Sequence, residues 1–300
     1  MNEVFRLEIP YREPFSLRQL TFGHGDSSVA VVAGLHGTEL TGVHAINLVA
    51  RTLAMARCRG RVTLMPVINR YGVEQGTKRW PFDDRDINQA FPGDPEGSPV
   101  QRIAHAVLEA TQADVCIDVQ SGASVVRELP QVRAPLAGAE VEFARAMQLP
   151  MVWRRAGDRL EATGLVGAWR ERGCAALHVR GGRGSTLDVQ HARRIANGIL
   201  RVLEHLDIIG NMTDDEETLV DTTRAGVDYH YSSVGGFWVP EVSCGDRVAP
   251  GQFLGAVTEI VGGDRLEEVR ATRRGVVMSL RCYPVVHGRE LLVRVAETRS

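Results

Sequence analysis

Gly34-Leu35-His36-Gly37-Thr38-Glu39 follows the apolar run Val29–Val32 and precedes apolar residues at helical spacing: Leu40, Val43, Ile46, Leu48, Val49 and Leu53. A buried strand is apolar on successive residues, and glycines allow the tight turn that ends it. The strand therefore delivers an imidazole and a carboxylate to the carboxyl end of a sheet, at the mouth of a helix. Two chemistries suit that pair. Borderline metals such as zinc take imidazole nitrogen and carboxylate oxygen ligands. Alternatively, Thr38 caps the helix and Glu39 answers its dipole. These residues alone leave both readings open.

Working outward, strand-like runs fall at Ser28–Leu35, Arg61–Ile68, Ala113–Gln120, Pro150–Trp153 and Cys174–Arg180. Helical patterns alternate with them at Glu39–Ala56, Pro99–Thr111, Val141–Gln148, Leu160–Arg172 and Thr186–His205. That alternation predicts an α/β sheet covered on both faces. Ligands of such sheets sit beyond the carboxyl ends of the strands. His36, Gln120 and Arg180 each fall at such an end, which points to one shared site. The acidic stretch Asn211–Thr218 reads as a linker. Turn signals beyond it, such as Gly235-Gly236, Pro250-Gly251 and Gly262-Gly263, predict a small β-barrel or sandwich.

Three hundred residues, 44% of them hydrophobic, suffice for a large domain plus a small one. A net charge of -2 gives no basis for binding nucleic acid or an anionic membrane. Five scattered cysteines without a Cys-x-x-Cys argue against a disulfide framework and for a reducing, cytoplasmic setting. No secretory signal is visible at Met1–Pro10, and no run reaches the ~18 apolar residues of a membrane span. Lys78 is the only lysine among 35 basic residues, which a GC-rich coding bias explains.

Four segments in order carry a family resemblance: His36-Gly37-Thr38-Glu39, Asp86-Ile87-Asn88-Gln89-Ala90-Phe91-Pro92-Gly93, Asp118-Val119-Gln120-Ser121-Gly122 and His178-Val179-Arg180-Gly181-Gly182. Together they resemble the succinylglutamate desuccinylase/aspartoacylase family, relatives of the zinc carboxypeptidases. The resemblance implies a carboxypeptidase-like α/β/α domain with a central mixed sheet over residues 1–210, then a β-rich domain over 211–300. It also implies zinc held by His36, Glu39 and the residue at position 120, with substrate contacts from Arg79, Asn88 and position 89.

The departures fall on chemistry. The family's third ligand, a histidine, is Gln120; its general base, a glutamate, is Arg180; its substrate-clamping arginine is Gln89. A neutral amide is a poor zinc ligand, and a fixed guanidinium repels the ion. With zinc, the family's two glutamates bring the formal charge to zero, whereas Glu39 and Arg180 here leave +2. Zinc is therefore expected to bind weakly or not at all, and Arg180 is expected to pair with Glu39. His178 offers another imidazole from the same strand, though it reads better as a core histidine. Ser124 and Glu128 could line the pocket or be ordinary loop polarity.

Two functions follow. One is a degenerate, pseudoenzyme member that binds a small amino-acid derivative or a partner protein. The other is a metal-dependent hydrolase (deacylase) of an N-acyl amino acid or related amide with an unusual metal centre. The sequence leaves a homo-oligomer open.

Overall fold

In the computed structural model, residues 1–155, 163–214 and 220–298 are described. Strands β1 (Asn2–Leu7), β2 (Phe15–Phe22), β3 (Ser28–Ala33), β4 (Arg61–Met65), β5 (Val115–Gly122), β6 (Val126–Ala134), β7 (Met151–Arg154) and β8 (Ala175–Arg183) make up the first part. Helices α1 (Leu40–Leu53), α2 (Arg70–Gln75), α3 (Pro99–Ala110), α4 (Ala139–Ala146), α5 (Leu165–Glu171) and α6 (Val189–His205) lie between and after them. The helix expected at Leu160–Arg172 thus appears from Leu165. Residues 160–162, like 215–218 of the expected linker, lie outside the described residues.

Alternate residues of β3 explain why both faces of the sheet are covered. Side chains of a strand point to opposite faces in turn. Val29 and Val31 pack with Ile46 and Val49 of α1 and Ile199 of α6. Ala30 and Val32 pack with Ile103 and Val107 of α3 and Trp169 of α5. The central strands β4, β3, β5 and β8 are parallel, while β2 and β6 flank them antiparallel. The sheet is therefore mixed, as the resemblance implied.

Three elements escaped the sequence reading: the hairpin of β1 and β2, the short helix α2, and β6. The last runs Val-Arg-Glu-Leu-Pro-Gln-Val-Arg-Ala, so charges and Pro130 hide its pattern. Its pairing with β8 is irregular between Glu128 and Gln131, around the proline that cannot donate to a ladder.

The C-terminal strands are β9 (Val220–Thr223), β10 (Val227–Tyr231), β11 (Gly236–Pro240), β12 (Arg247–Val248), β13 (Phe253–Thr258), β14 (Arg265–Arg270), β15 (Gly275–Arg281), β16 (Val285–Val286) and β17 (Leu291–Glu297). Four of them form a small antiparallel sheet in the order β14-β13-β11-β16, over a core that includes Trp238, Leu254 and Val293. Others extend the main sheet: β15 pairs with β6, β17 with β15, and β9 with β7. Through β17 this places a C-terminal arginine, Arg294, beside the candidate site. Among the described residues, no helix is long and apolar enough to cross a membrane.

Candidate functional site

The turn after β3 builds the first wall. Gly34 adopts φ of +64°, a left-handed conformation that costs glycine little. Gly37 then passes against α2, where an added Cβ would lie 1.9 Å from the carbonyl carbon of Gly72. Gly37→Ala is accordingly expected to cost about 1–3 kcal/mol of overpacking, measured by chemical denaturation. A variant of unchanged stability would show that this approach is not needed.

Glu39 occupies the N-cap position of α1, but its side chain makes no capping hydrogen bond. The Glu39 carboxylate folds back instead: Oε2 accepts the His36 backbone N–H at 3.2 Å, and Oε1 lies 2.7 Å from His36 Nδ1. On the other side of the imidazole, Nε2 lies 2.8 Å from Asp86 Oδ1. Burial opposes charge on His36, but the Glu39 charge and the bonds to both carboxylates outweigh it and push its pKa up to about 10. Protonated, the ring donates from both nitrogens, one to each carboxylate.

Asp86 is the hub of the second segment. Its side chain accepts the Asn88 backbone N–H at 3.0 Å and also meets Lys78 Nζ at 3.2 Å. Burial would raise its pKa, yet His36 and Lys78 hold it well below the usual carboxylate range. Asn88 anchors α5 through Oδ1, which accepts the Leu165 N–H at 3.0 Å. Asn88 and the exposed Gln89 both line the cavity. Arg79 does not. It turns outward to Asp84 at 2.9 Å, because the preceding turn directs its carbonyl to Asn69 and its side chain to solvent. The neighbour that faces the cavity is Lys78.

The third and fourth segments meet through strand register. Gln120 of β5 pairs directly with Arg180 of β8, and Asp118 with His178 one layer deeper. Equal register on parallel strands puts each pair on the same face. Gln120 donates from Nε2 to Asp118 Oδ2 at 2.7 Å. Asp118 is buried and close to the Glu39 charge, and these push its pKa up to about 7 against the Gln120 bond. His178, also buried, lines the same cavity.

Arg180 does not pair with Glu39, contrary to expectation. Its Nε donates to Glu128 Oε2 at 2.8 Å. Glu39 is already occupied by the His36 imidazole, and Glu128 projects from the adjoining β6, which the sequence reading had not recognised as a strand. Glu128 also meets Arg133 at 3.3 Å and Arg294 at 3.2 Å. Burial alone would raise its pKa; the three guanidinium groups hold it well below the usual range instead. Burial likewise opposes charge on Arg180, and Glu128 more than compensates.

His36, Glu39, Gln120 and Arg180 therefore do share one cavity, of about 320 Å³. The donor set does not fit a resident zinc ion. Both His36 nitrogens are engaged by carboxylates, Gln120 points its amide donor at Asp118, and Arg180 contributes a permanent cation. Among the described residues, no group of three or more His, Cys, Asp or Glu side chains is arranged to hold a metal ion. Gln120 and Arg180 were legible from their motifs. Lys78, Asp118 and Arg133 were not, although Asp118-x-Gln120 and His178-x-Arg180 place unusual polar pairs on one face of buried strands.

Comparison with known proteins defines the class. The succinylglutamate desuccinylase/aspartoacylase catalytic domain matches residues 26–206, and the chain belongs to that family. It is 26% identical over 293 residues to the N-alpha-acetyl-L-2,4-diaminobutyric acid deacetylase of Halomonas elongata, spanning 92% of this chain and 83% of that protein. The fold is shared with the succinylglutamate desuccinylase/aspartoacylase of Rhodobacter sphaeroides, at a TM-score of 0.82 and 21% identity over 99% of this chain and 95% of that one. The product-bound ectoine utilization protein EutE (DoeB) of Ruegeria pomeroyi superposes with a TM-score of 0.81 at 23% identity, over 98% and 93% of the two chains.

Proposed function

We propose that this chain is a small-ligand-binding member of its family whose hydrolytic centre has been replaced by a network of side-chain ion pairs. One observation carries the reading. Arg180, where the family places its general base, is fixed to Glu128 by a 2.8 Å bond inside the same cavity as His36 and Glu39. A guanidinium stays protonated at any physiological pH and cannot accept a proton from water. Neither Gln120 nor His36, with both nitrogens engaged, supports the ligand set that activates water in metal hydrolases.

An amino-acid derivative is the ligand class that this reading favours. Its support is the likeness to a deacetylase named for N-alpha-acetyl-L-2,4-diaminobutyric acid. A reducing, cytoplasmic setting is part of the same reading, supported by the scattered cysteines. The alternative, a deacylase with an unusual metal centre, is supported by the retained His36–Glu39 contact of 2.7 Å.

Incubation with N-alpha-acetyl-L-2,4-diaminobutyrate separates the two readings. Saturable heat of binding without acetate release is the expected result. Catalytic acetate release that disappears in His36→Ala would favour the deacylase and overturn the binding-only reading.

A further inference from the structure

Arg180 commits only part of its guanidinium to the protein. Nε donates to Glu128, while Nη1 and Nη2 have no hydrogen-bond partner among the described residues and are not sealed from solvent. The side chain is 18% exposed and lines the cavity. The open Nη edge is thus held in place from behind by Glu128 and presented to the cavity. Ser121, on the same lining, carries a buried hydroxyl without a partner among the described residues.

Other cationic groups of this wall are differently placed. His36 is held between Glu39 and Asp86, and Lys78 sits at 3.2 Å from Asp86. A guanidinium edge offers two parallel N–H donors, which match the two oxygens of a carboxylate. A phosphate dianion would bring twice the charge of a carboxylate into a cavity that also holds Glu39 and Asp86.

We infer that the Nη edge of Arg180 is the seat of a ligand carboxylate, bound bidentately where the family's catalytic glutamate would act. The inference rests on the small-ligand reading above and names the group that the ligand presents. The seat lies within the rewritten centre, in a cavity that Arg79, a substrate contact by the family resemblance, does not line. Glu128 acts as a positioning residue, holding the guanidinium plane by its Nε.

The test uses two probes of one shape, N-acetylglycine and N-acetylglycinamide, titrated calorimetrically into the intact protein. N-acetylglycine is expected to bind and the amide to bind roughly 10- to 100-fold more weakly, the range for a hydrogen-bonded charge. Arg180→Lys keeps a cation beside Glu128 but loses the fork, and should weaken N-acetylglycine over the same range. Should that variant fail to fold, the wild-type comparison of acid with amide decides alone. Equal binding of acid and amide, or full affinity in a folded Arg180→Lys variant, would overturn the carboxylate seat. So would preference for inorganic phosphate over N-acetylglycine, or failure of N-acetylglycine to bind at millimolar concentration. None of these outcomes involves turnover, so the carboxylate seat can fail while the binding-only reading stands. Acetate release from the diaminobutyrate derivative would remove that reading separately.

Discussion

Glu128→Gln is expected to destabilise the fold by about 3–5 kcal/mol, a large share of the ~5–15 kcal/mol available to a typical domain. The side chain is buried and serves Arg180, Arg133 and Arg294 at 2.8, 3.3 and 3.2 Å. Removing its charge leaves three partly buried guanidinium groups without that counter-ion. Replacing Arg180 as well, in Glu128→Gln with Arg180→Met, should recover part of the loss. Chemical denaturation at neutral pH measures both. A loss under about 1 kcal/mol for Glu128→Gln would place the cluster in the class of exposed, weakly contributing ion pairs.

The same residue gives a pH dependence of known sign. Arg180, Arg133 and Arg294 outweigh burial and hold the folded-state pKa of Glu128 well below its unfolded value of about 4.3. A depressed carboxylate contributes stability that is fully present above the unfolded pKa and is lost as pH falls toward the folded one. Wild-type protein should therefore lose stability more steeply than Glu128→Gln below about pH 4. Parallel acid limbs would contradict this linkage.

Gln120→His combined with Arg180→Glu should create a zinc site with the family's ligand types. The exchange removes one positive charge, adds one negative charge and supplies an imidazole in register with the new carboxylate. His36 Nδ1 and Glu39 Oε1 already lie 2.7 Å apart. With zinc, the formal charge falls from +2 to zero, and Glu128 keeps Arg133 and Arg294 as partners. Competition against a chromophoric chelator should show an affinity gain of about 100-fold or more over wild type. A folded double variant with unchanged zinc affinity would mean that the backbone of the centre has moved as well.

Much of this arrangement was legible in the sequence. Buried parallel strands announce themselves by successive apolar residues, and their carboxyl ends must share one edge. His36, Gln120 and Arg180 could therefore be gathered before any coordinate was known. The partner of Arg180 could not. Glu128 lies 52 residues away on a strand disguised by Pro130 and flanking charges, and Arg294 reaches that carboxylate across 166 residues. Local periodicity carries no signal for pairs so distant, because they depend on which strand lies beside which. The second carboxylate at His36 was hidden for a related reason: Asp86 is 50 residues away in sequence, and only the fold brings it to the imidazole. Lys78 looked like a trace of coding bias, yet the chain's single lysine stands at the cavity.

In the proposed function, a guanidinium fixed to Glu128 and an imidazole held between two carboxylates stand in place of metal chemistry. An anomalous difference map at the zinc absorption edge, from crystals grown at neutral pH and soaked in zinc, tests it most directly. No peak is expected within coordination distance of His36 and Glu39, and the Arg180 guanidinium should rest on Glu128. A strong peak bound by His36 and Glu39 in tetrahedral geometry, with Arg180 displaced from the cavity, would contradict it.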